Sequence, residues 1–188
     1  MIKLGVLGST KGTDLEPIVN AINQNTLKAK VSVIISNNSK AYILNRAKSY
    51  NIPSYFISTK NKSRINFDSE ITEVLTKYNV DLILLIGFMR ILSSSFCKRW
   101  NKKIINVHPS LLPKYAGGMD TNVHEEVIKN QDTVTGCTIH LVTENIDKGP
   151  ILIQKKCKVK NSDSVNSLKK RVQKLEGEAF IEVIKMLS

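Results

Sequence analysis

Residues 80–86, VDLILLI, form an almost continuous apolar run, and no other segment constrains the fold so strongly. A strand with one face in water alternates apolar and polar residues. A strand apolar on both faces must be covered on both, as in a parallel sheet flanked by helices. The rest of the chain supplies that cover. Short β-rich runs at 3–8, 30–36, 54–57, 103–107, 135–142 and 151–159 alternate with helical patterns at 15–24, 40–50, 63–78, 119–130 and 163–186. Apolar residues fall at helical spacing: Leu15, Ile18, Val19 and Ile22; Tyr42, Ile43 and Ala47; Phe67, Ile71, Val74 and Leu75. Ser162 or Asp163 is expected to cap the last helix. The alternation implies right-handed crossovers and an α/β, doubly wound, mostly parallel sheet. Loop 143–150 is too short for a helix, so the last two strands are expected to form an antiparallel or mixed edge. Ligands of such sheets bind outside the carboxyl ends of the strands, near a switch in strand order.

Composition bounds the classes of function. The 188 residues suit one domain, 1–188, with no repeat, linker or low-complexity tract. No apolar run reaches the ~18 residues of a membrane-spanning helix, and the N-terminus reads as a first strand rather than a signal peptide. Cys97, Cys137 and Cys157 are odd in number and form no CxxC, so free thiols in a reducing cytoplasm are expected. Histidine spacing gives no metal-ligand pattern, so no metal is expected. The net charge of +12 raises the question of nucleic acid. Each half of the chain, however, nets +6, and Lys supplies 23 of the 28 positive side chains. A dispersed lysine surface suits anionic small molecules better than base readout, so no nucleic-acid partner is expected.

Three segments carry chemistry. Gly8-Ser9-Thr10-Lys11-Gly12-Thr13-Asp14 joins the first strand to the first helix. It is either an ordinary tight turn or an anion site built from backbone N–H groups and a helix N-terminus. Asp14 is either the cap of that helix or a ligand-facing acceptor. Asn106 and His108, two apart at the end of an apolar strand, point to one face, and Pro109 holds His108 extended. The pair is either a satisfied polar couple or an oxyanion stabiliser beside a proton donor. Asp147 lies in a turn at the rim of the same sheet, where a carboxylate close to His108 would raise the imidazole pKa and orient the ring. His124, on a helical pattern, reads as half-buried packing. His140, inside a strand, reads as structural.

Gly87-Phe88-Met89-Arg90-Ile91-Leu92, then Asn106-Val107-His108-Pro109-Ser110-Leu111-Leu112-Pro113, then Asp147-Lys148-Gly149-Pro150 resemble the folate-dependent formyltransferases. The resemblance runs along the whole chain and implies a Rossmann-like fold. The short chain and the Gly12-Thr13-Asp14 turn point within the superfamily to enzymes acting on glycinamide ribonucleotide. The implied reaction moves the formyl group of 10-formyltetrahydrofolate, the co-substrate, to the amine of 5'-phosphoribosylglycinamide in purine biosynthesis. Asn106, His108 and Asp147 match the catalytic trio. Gly12, Thr13, Asp14 and Glu176 match residues that hold the ribonucleotide. Arg64, Met89, Arg90, Ile91 and Leu92, together with Asn106 and segment 142–147, match the folate site. Two departures stand out. Asn is the more usual residue at position 14, and loop 114–122 is longer than usual, with Asn122 near the place of a histidine. Methionyl-tRNA formyltransferases and formyltetrahydrofolate hydrolases carry an additional domain, and sugar-nucleotide formyltransferases usually have longer chains, which sets them apart. A catalytically dead folate-binding module would not need the intact trio. The resemblance leaves monomer and homodimer both open.

Overall fold

The computed structural model describes residues 1–118 and 120–188. Its strands are β1 (Ile2–Leu7), β2 (Ala29–Ser36), β3 (Ser54–Phe56), β4 (Leu82–Leu85), β5 (Ile104–His108), β6 (Val134–Leu141) and β7 (Ile151–Lys158). Its helices are α1 (Leu15–Asn23), α2 (Tyr42–Ser49), α3 (Arg64–Lys77), α4 (Ser94–Arg99), α5 (Asp120–Lys129) and α6 (Val165–Met186). They form one seven-stranded sheet in the order β3-β2-β1-β4-β5-β6-β7. The strands from β3 to β5 are parallel, and β6 and β7 add the antiparallel edge. Strand order therefore reverses direction between β1 and β4, which opens a crevice at their carboxyl ends.

The apolar run became β4, buried at every position. Successive side chains of a strand point to opposite faces, and each face has its own core. Leu4, Val6, Ile34, Leu84 and Ile105 pack with residues of α1, α5 and α6. Leu7, Val33, Ile83 and Leu85 pack with Phe67, Ile71 and Leu75 of α3 and with Phe96 of α4. Fully burying one such side chain contributes about 1.5–3 kcal/mol, so the two-sided core fixes the strand ends that carry the chemistry.

Three local expectations need correction. The cap of α6 is Ser164, whose hydroxyl accepts from the Ser167 N–H in a reciprocal capping box. Asp163 is instead drawn into a bidentate pair with Arg171, at 2.7 Å for each bond. Tyr42 is exposed and lies against the Arg46 guanidinium, so Ile43 and Ala47 carry the buried face of α2. Helix α4 was not foreseen, because six residues are too few to show a helical period. Its Ser93 cap accepts from the Phe96 N–H. The helix expected from residue 119 runs from Asp120 to Lys129, and Met119 lies outside the described residues. No helix is long and apolar enough to cross a membrane among the described residues.

Candidate active site

The crevice is a cleft of about 440 Å³. Its floor is the end of β5. Asn106 and His108 both line it, as their period-two spacing requires. Antiparallel pairing sets His140 of β6 directly opposite Asn106. Asp147, in the turn after β6, adopts a left-handed conformation with φ +53° and turns its carboxylate back over the strand ends. The four side chains form one chain of contacts. His108 Nδ1 lies 3.3 Å from Asp147 Oδ2. His140 Nε2 lies 3.4 Å from Asp147 Oδ1 and 3.2 Å from Asn106 Nδ2. His140 Nδ1 donates to the Leu141 carbonyl at 3.0 Å. A neutral His140 therefore presents Nε2 as an acceptor, and the Asn106 amide donates to it.

Burial sets the electrostatics. The side chains of His108 and Asp147 are only 4% and 10% exposed. Burial pushes the His108 imidazole below its ordinary value. Asp147 and the Tyr115 carbonyl pull the other way without reversing the shift, and His140 adds to the lowering. The expected upward pull of Asp147 is thus present, but desolvation outweighs it. For Asp147 the balance is opposite. Burial opposes ionisation, but the neighbouring His140 ring and the Gly117 N–H, with the His108 imidazole nearby, hold the carboxyl below its usual range.

One wall of the cleft is the turn from β1 to α1. Gly12 has φ +63°, and a Cβ there would lie 2.4 Å from Ile43 Cγ1, so only glycine fits. Asp14 sits at the cap position of α1, yet its side chain makes no capping bond, and it is buried in the cleft wall. The opposite wall is segment 87–92. Ser9 clamps the two together, because its hydroxyl accepts from the Met89 N–H at 2.8 Å and donates to Asn37 Oδ1 at 2.6 Å.

This cleft, a half-buried amide, two buried imidazoles and a carboxylate between a glycine turn and an apolar-edged segment, can polarise a carbonyl and move protons. The formyl transferase family model matches residues 2–184. The chain belongs to the formyl transferase family. Among relatives of this formyl transferase, a phosphoribosylglycinamide formyltransferase of Haemophilus influenzae is 39% identical over 186 residues, 98% of this chain and 86% of the relative. The human trifunctional purine biosynthetic protein adenosine-3 is 37% identical over 187 residues, but the chain spans only 18% of that protein's length. The solved glycinamide ribonucleotide transformylase 1 of Symbiobacterium toebii superposes with a TM-score of 0.92 at 34% identity, covering 98% of this chain and 86% of that one.

The formyl transferase brings almost all of the expected site residues to one cleft. Gly12, Thr13, Asp14, Glu176, Met89, Arg90, Ile91, Leu92, Asn106, His108 and Asp147 line it, as does segment 142–147. The Arg90 guanidinium stacks on the Phe67 ring at 4.9 Å. Met89 and Ile91 are exposed at the mouth, and Leu92 is buried. Arg64 is the exception: it opens α3, is exposed, and does not line the cleft. His140 was read as structural; it stands instead between Asn106 and Asp147. Only the long-range β5–β6 register reveals that. Sequence reasoning also missed Gln173, which lines the cleft beside Glu176, and Asp68, a buried carboxylate that accepts from the Ser93 N–H at 2.6 Å and anchors segment 90–93. His124 is 1% exposed, deeper than a half-buried residue.

Proposed function

We propose that this enzyme transfers the formyl group of 10-formyltetrahydrofolate to the amine of 5'-phosphoribosylglycinamide, a cytoplasmic step of purine synthesis. The observation that carries the reading is the Asn106–His140–Asp147–His108 chain of contacts at the floor of one cleft, between the glycine turn and segment 89–92. The two walls suit two different ligands. Backbone N–H groups of the turn and the N-terminus of α1 suit the ribonucleotide phosphate, with Glu176 placed for its ribose hydroxyls. The backbone of segment 89–92 suits the edge donors and acceptors of a pterin. Arg64, at the start of α3, is assigned to the acidic tail of the folate.

The neutral amine attacks the formyl carbon, and a new C–N bond forms as the carbonyl electrons move to oxygen. Asn106 Nδ2 carries two hydrogens, and one that His140 does not take is available to the resulting oxyanion. The His108 imidazolium stabilises the same charge and gives the oxyanion a proton, which returns to the ring when the carbonyl re-forms. Asp147 favours that imidazolium electrostatically and orders the water through which the attacking amine loses a proton and N10 of the folate gains one. The C–N10 bond then breaks, leaving the formylated amide and tetrahydrofolate. No proton is gained or lost overall.

The test is formyl transfer by the purified protein with both substrates, followed by the absorbance of the folate product. Turnover is expected, and formate release without the amine is expected to be slow. No transfer with fresh substrates would sink the reading. In the same assay His108→Ala is expected to lower kcat by at least about 100-fold, the scale of a general acid–base contribution. A near-normal rate would remove His108 from the chemistry.

A further inference from the structure

Segment 114–118 is bonded to both His108 and Asp147. The Tyr115 carbonyl accepts from His108 Nε2 at 2.9 Å, and the Gly117 N–H donates to Asp147 Oδ2 at 2.8 Å. The segment's outer side is tied down away from the cleft. Tyr115 Oη donates to Asp132 Oδ2 at 2.8 Å and accepts from Asn130 Nδ2 at 2.9 Å. Lys114 Nζ pairs with Asp132 Oδ1 at 2.5 Å and lies 5.2 Å from the centre of the Tyr115 ring. Tyr115 is held at φ +62°, a left-handed conformation that a bulky residue keeps only when its surroundings over-determine it. Asp132 lies in the turn between α5 and β6, and its side chain is 12% exposed. Neither Asp132 nor Tyr115 lines the cleft.

We propose that Asp132 and Tyr115 are positioning residues for His108: they hold the 114–118 strap so that the Tyr115 carbonyl and Asp147 take the two N–H bonds of the His108 imidazolium, the proton-donating form of the ring. A carbonyl oxygen can only accept, and so can an ionised carboxylate. A neutral imidazole has one N–H, so it must set a bare nitrogen against one of these two oxygens. The doubly protonated ring satisfies both. The titratable groups facing the ring are Asp147, which favours the cation, and His140 of β6, which opposes it whenever it carries a proton of its own. Burial also opposes the cation, so the strap offsets part of that cost. The far end of the strap stays in place because Asp132 is ionised. Burial resists that, and hydrogen bonds from Lys114 and Tyr115 outweigh it and keep the carboxyl below its usual value. Removing one hydroxyl or one charge at this distant anchor therefore frees the carbonyl that faces His108.

The inference rests on the proposed reaction only for its effect on rate, and a titration separates the two. The chain has three histidines, so the His108 ring signals in a proton NMR titration of the free protein are assigned by their loss in His108→Gln. Tyr115→Phe keeps the ring, and Asp132→Asn keeps the shape. In both, the His108 midpoint is expected to move toward acid. With both substrates, kcat is expected to fall about 10-fold while the KM values change little, as for loss of an orienting outer-shell partner. Asp132→Glu, which retains the charge, is expected to restore part of both. If variants that melt like the wild type leave the midpoint in place, or move it toward base, the latch is overturned whatever happens to the rate. If the midpoint moves as expected but even the wild type transfers no formyl group, the latch stands and the proposed reaction falls.

Discussion

Asp147→Asn isolates the electrostatic core of the site, because it keeps the side-chain shape and removes one charge. The perturbation acts mainly on His108, whose Nδ1 is 3.3 Å from the carboxylate. Two unit charges at that distance attract by about 5 kcal/mol at an effective dielectric constant near 20. Solvent screens the pair little, since the two side chains are 4% and 10% exposed. A 100-fold fall in kcat corresponds to about 2.7 kcal/mol of transition-state stabilisation. Little more than half of the attraction is therefore needed to produce it. The direction in pH follows from the same geometry. Burial already sets the His108 pKa below its ordinary value, and losing the carboxylate removes the strongest opposing pull. Activity that depends on the imidazolium then survives only at lower pH. The assay is kcat and kcat/KM for formyl transfer between pH 5 and 9. The expected result is a loss of at least about 100-fold at neutral pH, with residual activity rising toward acid. A loss of less than about 10-fold, or a profile that keeps the wild-type shape, would refute the claim that Asp147 acts through the charge of His108.

Other measurements bear on the rest of the fold. Gly12→Ala forces a Cβ to within 2.4 Å of Ile43 Cγ1 at φ +63°, where the left-handed backbone alone costs about 1–2 kcal/mol; KM for the ribonucleotide is expected to rise about 10-fold with a smaller change in kcat, and an unchanged KM would detach the turn from that substrate. Acidification should lower the melting temperature in two stages. His108, with its pKa lowered in the fold, contributes stability that is complete above the ordinary imidazole value near 6.5 and is lost as pH falls below it. Asp132, Asp147 and Asp163, whose pKa values are also lowered, contribute stability present above the ordinary carboxylate value and lost as pH falls through their folded values. Calorimetry from pH 8 to 3 checks this, with His108→Gln expected to flatten the upper stage; a melting temperature that climbs on acidification contradicts it. Filter binding to RNA at physiological salt should be weak and salt-sensitive, and tight sequence-selective retention would restore the nucleic-acid reading of the +12 charge.

What the sequence made legible was whatever repeats within a few residues. The apolar run at β4 and the helical spacing of Phe67, Ile71 and Leu75 are local patterns, and both reappear as core. Asn106 and His108 were readable as a pair because a strand's two-residue period places them together without knowledge of any partner. Asp147 was readable as a rim carboxylate because a turn between two strands has nowhere else to go. The failures also share a cause. A six-residue helix such as α4 completes too few turns for a period to emerge. Ser164 and Asp163 are both good caps by type, and the choice was made by Arg171, eight residues beyond Asp163, which drew that carboxylate into its own fork.

The same reasoning explains why half of the site's polar network was invisible. His140 became a partner of Asn106 only when β6 paired with β5 in one register; a slip of one residue would have turned it to the other face. Asp132 reaches His108 through a phenol and the carbonyl of a left-handed residue, and a backbone acceptor has no signature in the residue types. Residues that touch the reacting atoms are restricted in type by the chemistry, so they appear as motifs. Residues that hold them in place are restricted only by geometry, and several residue types can meet the same geometry. His140, Tyr115 and Asp132 are residues of this second kind. In those residues the donor form of His108 is decided by register and strap position rather than by local pattern.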